Sequence, residues 1–284
     1  MNTKGAFDIL GNIALVKFCR AAKAKDKKKF ANKILKSNKS ITTILEKTGK
    51  FKGRLRKQET RYLAGIKTKE AVYRENNCVF RFNIDNAYFS SRLSNERKEI
   101  AGKIKKGEEV LVMFAGVAPY PIVIAKNSEA HKVYSNEINK EANKYGKLNA
   151  ELNNVKNRVI FLDGDIKKIA EKIAKNKKRV NSKTRNSLND GFNDKIFISH
   201  KFDVIVMPRP QLKDSFLEEA FLLSKKGTRV FYYDFCKEDE INGVVEKVKS
   251  EAVKYKHKIK ILNIKKAGEI APYRYRIRVD FMVL

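Results

Sequence analysis

Histidine and cysteine are nearly missing from this chain of 284 residues. His131, His200 and His257 are scattered along it, as are Cys19, Cys78 and Cys236, so a zinc clamp, a redox pair or a Ser-His-Asp triad has almost no material to be built from. The cysteines read as reduced, structural residues. No apolar run approaches the ~18 residues that would cross a bilayer, and the start MNTKGAFDILG has no signal-peptide core, which predicts a cytoplasmic protein with no membrane partner. Negative charge is short as well: 32 acids face 63 lysines and arginines, a formal net charge of +31. A molecule so charged repels itself unless a polyanion is at hand, and nucleic acid is the partner this predicts. Any chemistry falls to carboxylates, amides and arginines.

What is present suffices for a core. With 42% hydrophobic residues, the length accommodates one sizeable α/β domain and a smaller one. From Phe7 to Ile84, short apolar runs alternate with turns, and Val79, Arg81 and Asn83 interleave with Phe80, Phe82 and Ile84 as in a strand. This predicts a small α+β module over 1–87. Its lysine-rich helix, between Lys23 and Lys39, carries eight lysines against one aspartate, a face suited to phosphates or simply to water. A second domain is expected over 88–284, opening on a helix for which Ser94 is the predicted N-cap and Glu96 a first-turn acid.

Beyond Val110 the order is strand, helix, strand (HKVYSNEI), helix, strand (RVIFLDGD), a polar stretch, strand (FDVIVM), helix (SFLEEAFLLSKK) and strand (TRVFYYDF). That alternation predicts a parallel sheet covered by helices. The polar stretch, about 166–201, holds eleven Lys or Arg against three acids and reads as a helix leading into a mobile basic loop. Two alternating strands joined by a turn close the chain. No internal repeat is visible.

The stretch VMFAGVAPYPIVIAKN is the least polar of all. In an open parallel sheet the ligand lies beyond the carboxyl ends of the strands, and the first strand-to-helix turn needs small residues so that backbone can approach it. Ala115, Gly116, Val117 and Ala118 follow Phe114 as such a turn, with Pro119 and Pro121 placed for a helix start. The fuller G-x-G-x-x-G fingerprint is absent, and packing alone explains one glycine equally well. Glu137, 21 residues after Gly116, ends the second strand, where a carboxylate can accept from both ribose hydroxyls; the third strand ends in Asp163-Gly164-Asp165. A dinucleotide redox enzyme shares this outline, but one compact glycine turn suits adenosine without a pyrophosphate better. S-adenosylmethionine is therefore the expected cofactor, with Phe114 to Ala118, Glu137 and Asp165 as its contacts. From the residues alone, a helix-capping role for Asp165 is equally open.

Several ordered motifs then carry a resemblance. Phe7-Asp8-Ile9-Leu10-Gly11-Asn12-Ile13-Ala14 fits FD-x-x-G-x-IA, and Gly53, Arg56 and Leu63-Ala64-Gly65 fit G-x-x-R followed by L-A-G. Tyr88 to Arg97 fits YFS-x-RL-x-x-ER, Met113 to Tyr120 the MFAGV-x-PF turn, and Tyr232 to Phe235 a late YY-x-F. Over most of its length the chain resembles the archaeal and eukaryotic tRNA (guanine-37 N1)-methyltransferases. The resemblance implies a class I methyltransferase Rossmann-like sheet with a small N-terminal α+β RNA-binding domain, acting as a monomer on the anticodon stem-loop of tRNA. It implies methyl transfer to N1 of guanosine 37, with Glu96 as the base for the N1 proton and Arg56 as the cation facing O6. Arg92, Pro208 and Arg209 are the candidate substrate contacts. It also implies a form without the N-terminal domain that many archaeal members use to grip the tRNA elbow, so that the two lysine-rich segments are expected to supply affinity.

Three positions depart from the family pattern. Val112 stands where an Asp precedes M-F-A-G, Pro208 where an Asn precedes L-P, and Lys140 where a Pro follows Asn139. Pro208 offers a base only a carbonyl, so methylation of 4-demethylwyosine stays open as an activity. Aminocarboxypropyl transfer to modified guanosine 37 and a catalytically inactive tRNA-binding protein stay open beside it.

Overall fold

The structure, a computed structural model, describes residues 6–19, 21–49, 53, 58–180 and 201–284, and of 175–180 the backbone alone. In chain order its elements are β1 (Ala6–Leu10), β2 (Ile13–Lys17), α1 (Ala24–Ser37), β3 (Thr43–Lys47), β4 (Thr60–Gly65), β5 (Glu70–Glu75), β6 (Cys78–Asn83) and α2 (Ser94–Lys103). There follow β7 (Glu109–Val112), α3 (Pro119–Asn127), β8 (Lys132–Glu137), α4 (Lys140–Leu152), β9 (Val159–Asp163) and α5 (Ile166–Val180). The last are β10 (Phe202–Met207), α6 (Leu217–Leu222), β11 (Ser224–Lys237), α7 (Ile241–Lys254), β12 (Ile259–Ala271) and β13 (Arg274–Val283). Backbone contacts divide the chain into two compact units. One comprises Met1–Lys103, Ala115–Ser128 and Ile138–Phe161; the other comprises Ile104–Phe114, Glu129–Glu137 and Leu162–Leu284.

In the first unit, β1 to β4 form a sheet in sequential order, antiparallel except for the β2–β3 pair. α1 buries Ala31 and Ile34 against Ala14, Val16 and Ile44 of this sheet. Seven of its region's eight lysines face solvent, because only Lys27 is tied inward, to Glu46 at 2.7 Å. The β1–β2 turn docks on β5: Asn12 Oδ1 accepts from the Val72 amide at 2.7 Å, and Gly11, at φ +57°, brings backbone so close that any Cβ would run into the Val72 carbonyl. β5 and β6 make an antiparallel hairpin with the expected alternation, Phe80 and Phe82 buried and Arg81 exposed. The outward edge of β6 is covered by α4. Asn149 pairs both backbone groups of Arg81, accepting at 2.8 Å and donating at 3.1 Å, and Asn153 does the same for Val79 at 2.8 and 2.7 Å. Two asparagines one helical turn apart thus stand in for a missing strand.

The second unit carries a seven-stranded sheet in the order β12-β13-β11-β10-β7-β8-β9. The pairs β7–β8, β7–β10 and β10–β11 are parallel, as the sequence alternation predicts. The closing hairpin joins the same sheet, β13 lying antiparallel to both β11 and β12, which makes the sheet mixed.

Two local expectations are corrected. Ser94 is not an N-cap: its φ and ψ of −56° and −47° are helical, because a 3-10 turn at Ser91–Leu93 feeds directly into α2. The extended residue is Ser90, and Ser94 Oγ instead accepts from Asn76 Nδ2 at 3.3 Å. The helix read from SFLEEAFLLSKK is only α6, and Ser224 already begins β11. There Thr228 Oγ1 donates to the Phe202 carbonyl at 2.6 Å and accepts from the Lys225 amide at 2.8 Å, so pairing with β10 overrides helix propensity. The basic loop predicted after α5 falls on 181–200, outside the described residues. Among the described residues no helix is long and apolar enough to cross a membrane.

Candidate active site

In the first unit the segment from Asn86 to Arg97 is held at three carbonyls or beside them. Asn139, the N-cap of α4, accepts from the amides of Glu141 and Ala142 and donates through Nδ2 to the Asn86 carbonyl at 2.8 Å. Two residues on, the Tyr88 carbonyl lies where a Cβ on Gly116 would approach to 3.4 Å. That contact is tolerable; it is the left-handed φ of +59° that demands glycine at position 116. Two residues further, Arg97 Nη2 donates to the Ser90 carbonyl at 2.9 Å.

Arg97 is itself locked. Its guanidinium makes a two-pronged pair with Glu75, Nη2 to Oε2 at 2.6 Å and Nε to Oε1, with both side chains almost wholly buried. It also lies 5.2 Å from the Phe89 ring and 5.7 Å from Tyr120. A buried pair of this geometry adds little net stability but is expensive to break, so it fixes register. Glu96, one residue before, is 4% exposed in the first turn of α2, where the helix dipole favours a carboxylate. Arg92 is different: it projects into solvent, its nearest acid Asp8 at 3.7 Å. Arg56 lies outside the described residues. Sequence reasoning missed Glu75, whose only signal is an acid at the end of a strand.

The turn after β7 is strained. Ala118 at φ +63° and Gly116 at +59° are left-handed in the first unit, and so is Phe114, at +58°, in the second. Two non-glycine residues in that region within five positions cost of order 1–3 kcal/mol each, and such outliers cluster at ligand sites. Pro119 opens α3 at its first position, as predicted.

In the second unit the tips of β8 and β9 are laced together. The Gly164 amide donates to the Glu137 carbonyl at 2.8 Å, and buried Asn136 donates through Nδ2 to the carbonyls of Leu162 (2.8 Å) and Gly164 (3.0 Å). Glu137, Asp163 and Asp165 therefore gather at one edge of the sheet, Glu137 half-buried and Asp163 exposed. Asp165 does cap α5, its Oδ1 accepting from the Lys167 amide at 3.1 Å. Val112 stands in register with Ser135, whose buried Oγ has no hydrogen-bond partner among the described residues. An acid at position 112, the family pattern, would be its cross-strand neighbour.

After β10 the chain turns through Pro208 to Phe216. Arg209, 2% exposed, points inward: Nη1 to Asp234 at 2.7 Å, Nη2 to the carbonyls of Leu212 and Asp214 at 2.6 and 2.8 Å, with Nε left unpartnered. Burial raises the Asp234 carboxyl, but Arg209, the Phe235 amide and Lys247 outweigh it and hold it below the usual range. The Arg209 side chain thus shapes the segment that follows Pro208. Lys167 reaches Asp214 at 2.5 Å and lies 5.3 Å from the Phe216 ring, which meets Phe114 edge-on at 4.9 Å. Nearby on α6, Glu219 is 6% exposed, with Oε2 unpartnered and its carboxyl pushed up by burial.

A parallel sheet with acids at successive strand tips, finished by an antiparallel strand between its last two neighbours, is the Rossmann-like sheet of a class I methyltransferase. The TRM5/TYW2 methyltransferase domain matches residues 71–187. The tRNA (guanine(37)-N(1))/4-demethylwyosine(37)-methyltransferase Taw22 of Nanoarchaeum equitans is 34% identical, over 98% of this chain and all of its own. The tRNA (guanine(37)-N(1))-methyltransferase Trm5b of Pyrococcus abyssi is 30% identical over 98% of this chain and 74% of its own. The crystal structure of WT Trm5b from Pyrococcus abyssi superposes with a TM-score of 0.78, at 30% identity, over 98% of this chain and 74% of that one. The chain belongs to the TRM5/TYW2 methyltransferase family.

Proposed function

We propose that this protein transfers a methyl group from S-adenosylmethionine to N1 of guanosine 37 in the anticodon loop of tRNA. The observation that carries the reading is the clamped segment Asn86–Arg97, which places a buried carboxylate, Glu96, beside an immobilised Arg97 in a family whose members include named guanine-37 methyltransferases.

The residues present fit an adenosyl group. In the first unit Ala115 to Ala118 have small or compact side chains, with Gly116 and Ala118 left-handed; in the second, Glu137 is a half-buried carboxylate suited to ribose hydroxyls and Asp165 a carboxylate suited to the adenine. When bound, S-adenosylmethionine supplies an electrophilic methyl on a sulfonium. Neutral guanine carries a proton on N1, which Glu96 would accept as the N1–methyl bond replaces the sulfur–methyl bond and a neutral thioether leaves, while Arg56 would meet the negative charge that develops on O6. Arg92, exposed, is placed for a phosphate rather than for the base. Pro208, which has a backbone carbonyl but no amide to offer, is the candidate contact to the target, on a segment tied down by Arg209.

The module 1–87 is the RNA-gripping part and 88–284 the catalytic part, with the solvent-facing lysines of α1 and the basic stretch 166–201 supplying phosphate contacts. The protein works as a monomer in the cytoplasm. Methylation of 4-demethylwyosine is a second reading favoured by one specific finding, the double substrate in the name of the Nanoarchaeum equitans relative, together with Pro208 in place of Asn. Mass mapping of nucleosides from tRNA incubated with the protein and cofactor tests both. The expected product is 1-methylguanosine at position 37, and tRNA that returns unmethylated from folded protein would sink the proposal.

A further inference from the structure

The β12–β13 hairpin ends in a feature that local folding does not explain. Ala271 pairs with Arg274, so the connection is the two residues Pro272 and Tyr273. Tyr273 occupies the second position at φ +58°, which such turns ordinarily fill with Gly or Asn because a bulky side chain is strained there. The same tyrosine is 76% exposed, so its ring gains nothing from packing. A strained, solvent-facing aromatic is the kind of outlier from which a functional role is argued.

Its surroundings indicate what the ring meets. The sequence runs Tyr273-Arg274-Tyr275-Arg276, alternating aromatic and guanidinium. Arg274 is exposed and has no ion pair among the described residues. Arg276 lies 5.2 Å from the Phe235 ring and Lys266 4.5 Å from Tyr275, so two cations are already held over aromatic faces. The neighbouring acids are spent locally: Glu238 on Lys266 and Tyr275, Glu240 on the Lys237 amide, and Glu269 on the Tyr273 amide. Rings that stack bases, interleaved with cations that meet phosphates, are how proteins hold single-stranded or unpaired nucleotides.

The hairpin is also in the right place. β13 pairs Arg274 with Lys237 at the carboxyl end of β11, and β11 is parallel to β10, β10 to β7 and β7 to β8. The tip therefore projects from the sheet edge that bears Glu137 and Asp163. Three to four strand spacings separate it from β7, about 14 to 19 Å.

We propose that the tip of the β12–β13 hairpin, through Tyr273 and Arg274, is a docking surface for RNA, the ring stacking on an unpaired nucleotide and the guanidinium meeting a phosphate. This rests on the tRNA reading above. The variants to compare are Tyr273→Ala, Tyr273→Gly and Arg274→Ala, with an unmodified tRNA transcript as probe. Affinity, its salt dependence, melting temperature and cofactor affinity are measured alongside methylation by the parent protein. Tyr273→Ala is expected to weaken tRNA binding at least about fivefold, and Arg274→Ala to flatten the log–log salt slope by about 0.7 to 0.9, both with cofactor affinity unchanged. Tyr273→Gly separates structure from binding: relief of the strained turn raises the melting temperature while tRNA affinity falls as in the alanine variant. If the parent methylates guanosine 37 and all three variants bind tRNA as it does, the hairpin surface is overturned and the function stands. If the parent neither binds nor methylates tRNA, both fall.

Discussion

Glu96 and Glu219 are both buried carboxylates in different surroundings. Glu96 stands in the first turn of α2 beside the locked Arg97 and is the base proposed above for the N1 proton. Glu96→Gln keeps the shape and removes the basicity, so turnover should fall by roughly 100- to 10,000-fold while tRNA affinity stays near that of the parent; single-turnover assays beside a binding titration check this. Glu219 is raised by burial, and Lys167 only partly offsets it. Its protonated form contributes stability that is complete below the unfolded carboxyl range, about pH 4.3, and is lost as the pH rises through the higher folded value. Glu219→Gln removes that loss. Melting temperatures should show the variant gaining on the parent from weakly acid to alkaline pH, with the two converging near pH 4. A constant offset across the range would mean that the carboxyl does not titrate as described.

At the scale of elements, α4 does two jobs with asparagine. Asn139 caps it and ties it to the Asn86 carbonyl, and Asn149 and Asn153 close the open edge of β6. Truncating Asn149 to alanine strips the part-buried amide and carbonyl of Arg81 of their partners, a loss of roughly 1 to 3 kcal/mol at ~0.5–1.5 per hydrogen bond. Asn149→Asp keeps the acceptor for the Arg81 amide but turns a carboxylate oxygen toward the Arg81 and Val117 carbonyls at a buried position, so it should cost at least as much as alanine, which chemical denaturation of the two variants checks. Of these roles, the strand alternation of β6 and the helix of α4 were both legible in the sequence. That the asparagines on one complete the other was not, because positions 68 and 74 residues apart carry no local signal of their pairing.

For the whole molecule the governing quantity is charge. With 63 basic residues against 32 acidic ones, association with tRNA should be steeply salt-dependent. If about six phosphates on unpaired loop regions are met, log affinity falls against log salt with a slope near −4, at ~0.7 per contact. Binding titrations between 50 and 300 mM salt read this directly, taken as about the range where such slopes are linear. A slope near zero would remove phosphate contacts as the source of affinity. Charge alone does not choose where RNA lies: α1 turns five lysines outward, whereas Arg209, equally basic in the sequence, is consumed by Asp234 and two carbonyls.

The order of strands and helices, the position of the turn after β7 and the acids at the strand tips follow from periodicity, small residues and spacing, all of which are local properties of a chain. So does the predicted affinity for a polyanion, which depends on composition. Folding alone decided that the terminal hairpin enters the main sheet and reaches its carboxyl edge, that Arg209 faces inward, and that Glu75 grips Arg97 from 22 residues away. Each is a long-range pairing, and burial selects among the many partners that sequence leaves equivalent.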